Sequence, residues 1–262
     1  MQTFFYITDT RLIHLLCLIA VASIFCGCVK QNSREKPMVQ HVNPDSTDED
    51  WTLLFDGETT SGWRGFDIES FPAQGWKIEH GMLIVDPTDG KDTGTGGSII
   101  TEGEYGNFVF DWEWKLLTRG GNSGVKYFVK EALDNQEYSP GLEYQILDDE
   151  NHPAVLSGKL KPNGYHTLAS LYEIYPAANT SPRPLGEWNN SRIVVQGRRV
   201  EHWLNGVRVL EYERGGDDFK KRVAQSKFAK YKDFGEASKG HILLQDHESK
   251  IAFRNIKIKV LD

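Results

Sequence analysis

Short runs of alternating apolar and polar residues dominate the chain from Trp51 onward. Glycine, proline, asparagine or aspartate bounds these runs, a pattern typical of the strands and turns of an antiparallel sandwich or barrel. The pattern predicts an all-β domain with strands at Trp76–Glu79, Met82–Val85, Gly97–Thr101, Asn107–Leu117, Gly124–Val129, Leu142–Leu147, His166–Tyr172, Trp188–Gln196, Arg199–Leu204, Val207–Tyr212, His241–Asp246 and Ile251–Leu261.

Turn residues support two of the predicted strand pairings. Gln196-Gly197 and Asn205-Gly206 separate alternating runs, and Asn-Gly is the strongest two-residue hairpin signal because both turn positions take positive φ. The spacing of apolar residues favours a helix only over Asp217–Tyr231. No long internal repeat is present, so propeller and solenoid folds are not expected.

Alternation also predicts which side chains share a sheet face, because residues two apart in a strand point the same way. In the strand Leu142–Leu147, the apolar residues would face the core and the two polar residues would face outward. Two other strands would also carry polar groups on one face. The predicted sets are Glu143 and Gln145; Asn122, Lys126 and Phe128; and His241, Leu243, Gln245 and His247.

These polar faces have two interpretations. If the strands are neighbours on a concave face, their side chains would line a groove with the donors and acceptors that sugar hydroxyls need. The other interpretation is the ordinary solvated face of an antiparallel sheet. The tryptophans could either stack against sugar rings or pack in the core. Most of them are expected in the core. They are Trp63, Trp76, Trp112, Trp114, Trp188 and Trp203.

The N-terminal segment resembles a bacterial lipoprotein signal. Arg11 precedes an apolar run over residues 12–25, which is short for a permanent membrane span and typical of a secretory signal. The Phe-Cys-Gly-Cys sequence ending at Cys28 resembles a lipobox, whose cysteine receives lipid after cleavage. We predict a signal peptide at 1–27, a flexible tether at 28–50 and one β domain at 51–262. The alternative is a buried helix over the apolar run.

The predicted lipid on Cys28 implies an exported protein of the cell envelope, anchored to a membrane. No acidic pair closely follows Cys28, so we expect the periplasm-facing side of the outer membrane rather than the cell surface. All three cysteines precede residue 29. The β domain is therefore expected to have neither a disulfide nor a thiol catalyst.

Composition and missing motifs exclude several function classes. The 262-residue chain has a formal net charge of -7 and no block rich in lysine and arginine, so nucleic acid is not an expected partner. It contains no P-loop, dinucleotide fingerprint, G-x-S-x-G elbow or H-E-x-x-H motif. The glycine-rich residues 94–97 do not precede a helix pattern that would favour phosphate. No nucleotide cofactor is expected.

Several short motifs follow the order of one known family. They are Leu54-Phe55-Asp56-Gly57 with Gly62-Trp63, Gly121-Asn122-Ser123-Gly124, Gly141-Leu142-Glu143-Tyr144-Gln145, Gly186-Glu187-Trp188-Asn189, His202-Trp203-Leu204-Asn205-Gly206, Leu244-Gln245-Asp246-His247 and Phe253-Arg254-Asn255-Ile256. Each motif alone has low specificity. Together, from about Leu53 to Leu261, they resemble the 3-keto-disaccharide hydrolase domain, which is often found in bacterial lipoproteins.

The resemblance implies a concanavalin-like jelly-roll β-sandwich of two antiparallel sheets with at most one or two short helices. It also implies cleavage of glycosides whose sugar ring carries a ketone at C3. That ketone acidifies the C2 hydrogen, so a base can form an enolate that expels the C1 substituent before water adds. Such a route needs a base and an enolate stabiliser, and a divalent cation could serve as the stabiliser. A separate oxidoreductase must supply the ketone.

The family motifs coincide with the polar strand faces, and this coincidence suggests roles for individual residues. Glu143 or His247 is the expected base. Asn122, Lys126, Gln145 and Gln245 are expected to hold the ketone, the enolate or the sugar hydroxyls. The alternatives are a structural salt bridge between Glu143 and Lys126 and a turn hydrogen bond at His247.

Two positions depart from the family pattern and could reshape the pocket. Glu248 stands where glycine commonly follows Asp-His, and Ala169 stands where glycine is also frequent. Two other function classes stay open. One is a noncatalytic carbohydrate-binding module, because jelly-roll domains serve both purposes. The other is a structural envelope lipoprotein whose polar face docks a protein.

Overall fold

A computed structural model gives the structure of residues 50–87, 97–131 and 139–262. The predicted signal peptide, nearly all of the tether, the lipidation site Cys28 and residues 94–96 of the glycine-rich stretch lie outside the described residues. Within the described ranges, no helix has the length and apolar character needed to cross a membrane.

Short strands make up most of the regular structure in the described residues. They are β1 (Thr52–Leu53), β2 (Trp63–Gly65), β3 (Trp76–Glu79), β4 (Met82–Val85), β5 (Ile99–Thr101), β6 (Phe108–Leu116), β7 (Asn122–Val129), β8 (Leu142–Leu147), β9 (Asn189–Gln196), β10 (Arg199–Leu204), β11 (Val207–Glu213), β12 (His241–Leu244) and β13 (Ile251–Val260). The helical elements are α1 (Pro153–Leu156), α2 (Asp217–Ala224) and a 3-10 turn at Lys227–Lys230.

Two antiparallel sheets form the sandwich. The larger has eight strands in the order β11-β10-β9-β6-β13-β4-β3, with β1 paired to β13, and the smaller has five in the order β2-β5-β12-β7-β8. Strands far apart in the chain become neighbours, as β13 does between β6 and β4. The fold is a jelly-roll β-sandwich with few short helices, which confirms the predicted fold class.

The core between the sheets is rich in aromatic side chains. Alternate residues of β6, including Phe110, Trp112 and Trp114, are buried. Tyr144 of β8 meets Trp112 edge-on, with 5.1 Å between ring centroids. Full burial of one large apolar side chain stabilises a fold by about 1.5–3 kcal/mol, so the period-two pattern of β6 contributes much of the packing between the sheets.

The tryptophans divide as expected, with most of them in the core. Trp63, Trp76, Trp112 and Trp114 are buried, whereas Trp188 is half-buried on the surface. The Trp188 ring contacts two cations, Lys115 Nζ at 4.6 Å and Arg254 Cζ at 4.0 Å from its centroid. These contacts cover the Trp188 ring with charged side chains.

A chain of hydrogen bonds crosses the core. His202 Nδ1 lies 2.8 Å from the carbonyl oxygen of Ala169, which can only accept, so Nδ1 carries the proton. His202 Nε2 then accepts from the Tyr127 hydroxyl at 2.9 Å, and Tyr212 donates to Tyr127 at 2.5 Å. Burial lowers the pKa of His202 to about 4, which keeps the imidazole neutral and the network satisfied.

Two local predictions differ from the structure. The helix expected over Asp217–Tyr231 is divided into α2 and the 3-10 turn. The strand expected at His166–Tyr172 is wrong, because the segment consists of turns and a single bridge from Leu171 to Tyr144. Ala169 in this segment has a left-handed backbone conformation, with φ +62°. A left-handed residue interrupts an extended strand.

Candidate active site

The predicted site residues lie on the outer face of the smaller sheet, away from the core. Ladder pairs align Arg64, Ile100, Leu243, Lys126 and Glu143 side by side across β2, β5, β12, β7 and β8. Directly paired residues of antiparallel strands point to the same face. Their sequence neighbours in each strand point into the sandwich, so this row belongs to the outer face.

Gly124 occupies the centre of the next row. Gln145 pairs with Gly124 from β8, and the backbone N–H of Gln245 donates to the Gly124 carbonyl at 2.9 Å. A Cβ atom at Gly124 would lie only 2.6 Å from Glu143 Oε1. The missing side chain therefore lets the Glu143 carboxylate lie across the strand between two glutamines.

Glu143 and Lys126 form an ion pair beside this glycine. Lys126 Nζ lies 3.5 Å from Glu143 Oε2, and their side chains are 21% and 9% exposed. At that burial, water screens the two charges less than at an open surface. The pair holds the carboxylate in one orientation, which suits both the structural salt bridge and an oriented base.

A hydrogen-bonded series of side chains lies beside the carboxylate. Gln145 Nε2 donates to Asn122 Oδ1 at 2.9 Å. Asn122 Nδ2 lies 3.3 Å from His247 Nε2 and donates to it when that nitrogen is unprotonated. His247 is exposed, whereas Gln145 is buried. The series therefore connects the buried sheet face to a solvent-accessible imidazole.

Two amide oxygens on this face are buried without a hydrogen-bond partner among the described residues. They are Gln145 Oε1 and Gln245 Oε1, on either side of Gly124. An unsatisfied buried acceptor costs about 1–3 kcal/mol, and few are left in native proteins. Acceptors of this kind suit a ligand with hydroxyl donors.

Around Glu143 and Gln145, the outer face of the smaller sheet is less exposed than an ordinary solvated face. Glu143 and Gln145, which alternation predicts to face outward, are on the outer face but are 8% and 3% exposed. The backbone of residues 169–172 hydrogen-bonds to both residues along the edge of β8. The edge of β8 is therefore covered by this backbone.

Two residues predicted on the polar face do not add polar groups to it. Phe128, expected beside Asn122 and Lys126, packs in the main core, because its φ of +56° reverses the side-chain direction at a bulge opposite β12. Leu243, expected on the polar face, is on that face but forms a small apolar cluster with Ile100 and Val129. That cluster borders the site.

His241 and the residues after β12 also differ from the expected regular strand. His241 Nδ1 lies 2.7 Å from the Thr101 carbonyl oxygen and is therefore occupied by the backbone. The strand ends at Leu244, so Gln245 and His247 project from the segment that follows it. Their positions depend on backbone contacts such as the bond from Gln245 to Gly124.

His152 is a neighbouring group that strand patterns cannot reveal. Burial lowers its pKa, and the positive charge of His247 lowers it further, so the two imidazoles are electrostatically coupled. His152 Nδ1 accepts a hydrogen bond from the Ala154 N–H at 3.2 Å at the start of α1. A polar residue directly before Pro153 predicts a helix start. This signal locates the loop in the sequence, but it does not reveal the electrostatic interaction of His152 with His247.

Arg64, at the other end of the first row, is neutralised by a partner. Its guanidinium makes a two-pronged hydrogen bond to Glu131, whose side chain is buried. Burial opposes ionisation of Glu131, but the bonds from Arg64 and the Asp67 N–H hold the Glu131 pKa below its ordinary value. Arg64 therefore acts as an anchor between β2 and the segment after β7.

The residues that the structure describes contain no group of three or more histidine, cysteine, aspartate or glutamate side chains arranged to hold a metal ion. His152, His247 and Glu143 do not meet this requirement. The stabilising cation that the family resemblance suggested therefore stays a prediction, and the positive charge that the structure places beside Glu143 is that of Lys126.

Comparisons with known proteins agree with the fold and order of the motifs. Residues 50–259 match the family described as a 3-keto-alpha-glucoside-1,2-lyase-like domain. A Bacteroides thetaiotaomicron protein named 3-keto-disaccharide hydrolase is 34% identical over 233 residues, which cover 81% of this chain and 79% of that protein.

Solved structures show the same relationship. Two candidate glycosyl hydrolases of Parabacteroides distasonis have TM-scores of 0.69 and 0.60 to this chain, at 33% and 29% sequence identity. The alignments cover 82% and 80% of this chain, and 95% and 99% of those chains. The similarity thus extends over nearly the whole of both relatives.

Proposed function

Because the chain belongs to the family of 3-keto-alpha-glucoside-1,2-lyase-like domains, we propose that it cleaves glycosides whose sugar ring carries a ketone at C3. The observation that carries the proposal is the grouping on a single sheet face of one oriented carboxylate, one lysine and two amide oxygens that have no partner among the described residues. This group has the donors and acceptors that a polyhydroxylated ring requires.

The chemistry begins at C2, whose hydrogen is acidified by the adjacent ketone. Glu143 removes the C2 proton, and the electron pair moves onto the ketone oxygen as an enolate. When the enolate collapses, the C1–oxygen bond breaks and a C1–C2 double bond forms. Water then adds its hydroxyl at C1 and a proton at C2, which gives the free 3-keto sugar and the released alcohol.

We assign enolate stabilisation to Lys126. Its ammonium lies 3.5 Å from Glu143 Oε2, so when Glu143 accepts the C2 proton the lysine charge becomes available to the oxygen anion on the substrate. A preorganised charge in a partly water-excluded site stabilises a developing anion more than the same charge in water. Gln145, Gln245 and Asn122 hold sugar hydroxyls.

His247 is the competing base, and its exposure argues for a different role. It is open to solvent and lies beside Asn122, so we assign it proton donation to the leaving oxygen. A general acid near solvent can recover its proton quickly. Glu143, which is oriented by Lys126 and buried over Gly124, is the better placed of the two for a C–H bond.

The first test compares purified protein with two substitutions on 3-keto-trehalose. Glu143→Gln should lower kcat/KM at least about 100-fold, because a positioned base contributes about 10²–10⁴ in rate. Glu113→Gln is the matched control, since Glu113 pairs with Arg254 at 2.6 Å on the larger sheet, and its rate should stay near that of the wild type.

The reaction route is checked in D₂O, with a parallel incubation of the product alone. Elimination followed by hydration places deuterium at C2 of the released sugar. Turnover without C2 deuterium, or full activity in Glu143→Gln, would contradict the mechanism. Repeating the assay with EDTA decides whether a divalent cation takes part.

A noncatalytic carbohydrate-binding module is the second candidate function. The glutamine oxygens, which have no partner in the described part of the chain, would serve a binding site equally well. Glycan binding that is lost in Gln245→Ala, with no turnover of any 3-keto glycoside, would favour this candidate. A stable protein partner and no sugar affinity would instead favour a structural envelope protein.

We further propose that lipid on Cys28 anchors the protein to the outer membrane, facing the periplasm, and that an oxidoreductase of the same pathway supplies the 3-keto substrate. The support is the lipobox-like sequence ending at Cys28 and the lack of a dinucleotide fingerprint in the chain. Labelling cells with a radioactive fatty acid should mark the wild-type protein and leave Cys28→Ser unmarked. Equal labelling of the two would contradict the anchor.

A further inference from the structure

A row of aromatic rings continues the smaller sheet beyond β8. The Tyr172 N–H donates to the Glu143 carbonyl at 3.0 Å, and the adjacent Leu171 bridges Tyr144. Leu171 and Tyr144 are both fully buried in the core. The backbone hydrogen bond therefore places Tyr172 next to Glu143 along the edge of the sheet.

The rings follow one another outward from Tyr172. The His166 ring contacts Tyr172 in a T-shaped arrangement with 5.0 Å between centroids. The Tyr165 ring lies 4.6 Å from His166, and Tyr165 is 45% exposed. The row therefore starts beside Glu143 and ends at solvent.

Charged groups border this row and fix its geometry. His166 Nε2 lies 3.0 Å from Glu173 Oε1 and donates to it. Lys227 Nζ lies 4.2 Å above the Tyr172 ring and 3.9 Å from the same carboxylate oxygen. An exposed aromatic ring flanked by fixed donors and acceptors is suited to one face and the hydroxyls of a sugar ring.

We propose that Tyr165, His166 and Tyr172 form the subsite for the second sugar ring of a disaccharide, the ring that leaves when the C1–oxygen bond breaks. The inference rests on the proposed function, because the glutamines around Gly124 hold the oxidised ring. A ring linked to that one would extend past Glu143, where the aromatic row begins. The protein would therefore prefer disaccharides to glycosides with a small leaving group.

The test compares 3-keto-trehalose with methyl 3-keto-glucoside, which has no second ring. In Tyr165→Ala, KM for the disaccharide should rise about five- to tenfold more than KM for the methyl glycoside, consistent with the energy of one ring contact. Tyr165→Phe, which keeps the ring, should restore the wild-type ratio. Leu156→Ala, at an exposed apolar residue outside the row, is the control.

A binding measurement separates failure of the subsite from failure of the proposed function. Unoxidised trehalose is titrated into the wild type and Tyr165→Ala, with ligand-observed NMR as the readout. Weaker binding by the variant supports the subsite even when no substrate is turned over. An unchanged KM ratio in Tyr165→Ala, equal trehalose binding by both proteins, or no trehalose binding by the wild type overturns it.

Discussion

At the scale of single residues, Gly124 decides where the Glu143 carboxylate can lie. Its backbone does not need the left-handed conformation that usually explains a glycine, since Gly124 is not among the positive-φ glycines. The reason is close approach, because a Cβ would meet Glu143 Oε1 at 2.6 Å. The glycine therefore belongs to the site rather than to a turn.

Replacing this glycine gives a sharp prediction. Gly124→Ala should leave the protein folded and lower kcat at least about tenfold, because the added methyl group moves the carboxylate from its productive position. Circular dichroism and steady-state kinetics on 3-keto-trehalose check both parts.

Gly216→Ala is the control for the general effect of alanine at a glycine. A Cβ there would approach no atom closer than 3.4 Å, and Gly216 is the N-cap residue of α2, far along the chain from the site. Equal kcat in Gly124→Ala and the wild type would show that the Glu143 position does not limit the reaction.

Two residues depart from the family's glycines, and both adopt the backbone conformation that glycine favours. Ala169 has φ +62° and Glu248 has φ +64°. A left-handed residue with a Cβ costs about 1–2 kcal/mol. Local hydrogen bonds offset this strain, since the Ala169 carbonyl accepts from His202 and the Glu248 N–H donates to Asp246. Both positions therefore keep the left-handed turn conformation, although neither residue is a glycine.

At the scale of elements, turn chemistry was a dependable guide to the hairpins. The β10–β11 turn contains Asn205 with φ +49° and Gly206 with φ +80°, as a two-residue hairpin requires. Gly197 and Arg198 join β9 and β10, whose register closes at Gln196 and Arg199, so this turn includes the predicted Gly197. These local conformations are encoded by the turn residues themselves, so the hairpin predictions are confirmed.

The bulge in β7 shows where local patterns fail. Phe128 enters the core against the alternation of its strand, and a Cβ at Gly240 would lie 2.5 Å from Phe128 Cα. The close approach of the two backbones is possible because position 240 has no side chain. The cause of the irregularity is thus a residue distant in the chain, and period-two reasoning on β7 alone cannot find it.

At the scale of the whole molecule, the pKa shifts of His202 and Asp149 make the free energy of unfolding depend on pH in opposite directions. The pKa of His202 is lowered to about 4 by burial, below about 6.5 in the unfolded chain. The unfolded state therefore binds more protons between these values. This contribution to stability is complete above pH 6.5 and decreases as the pH falls, by roughly 3 kcal/mol near pH 4.

Asp149 acts in the other direction. Burial, reinforced by the charge of Asp148, raises the Asp149 pKa to about 6, against a bond from the Leu168 N–H that lowers it. The folded state binds the extra proton, so this contribution is complete below about pH 3.9 and is lost as the pH rises through about 6. The two groups oppose each other between pH 6 and 4.

Removing the Asp149 carboxylate should leave the pH dependence of stability that His202 causes. In Asp149→Asn the stabilising protonation is gone, so the free energy of unfolding should fall more steeply than in the wild type from pH 6.5 to 4.5. Urea unfolding at several pH values measures both curves. Asp217→Asn, at an exposed carboxylate, should follow the wild-type curve, and parallel curves for Asp149→Asn would refute the assignment.

The sequence by itself determined the all-β class, most strand positions, the main hairpins and the identity of the polar residues on β7 and β8. These features depend on period-two alternation and turn chemistry, which act over a few residues. The motifs also indicated the family that the comparisons found.

Only the tertiary structure decided how those residues meet. Strand order brings β12 beside β7, which sets Gln245 against Gly124, and the loop after β8 places His152 where the charge of His247 lowers its pKa. The same long-range packing buries Glu143 and Gln145 and turns Phe128 inward. Such contacts join residues far apart in the chain, and their energies depend on neighbours that no local pattern contains.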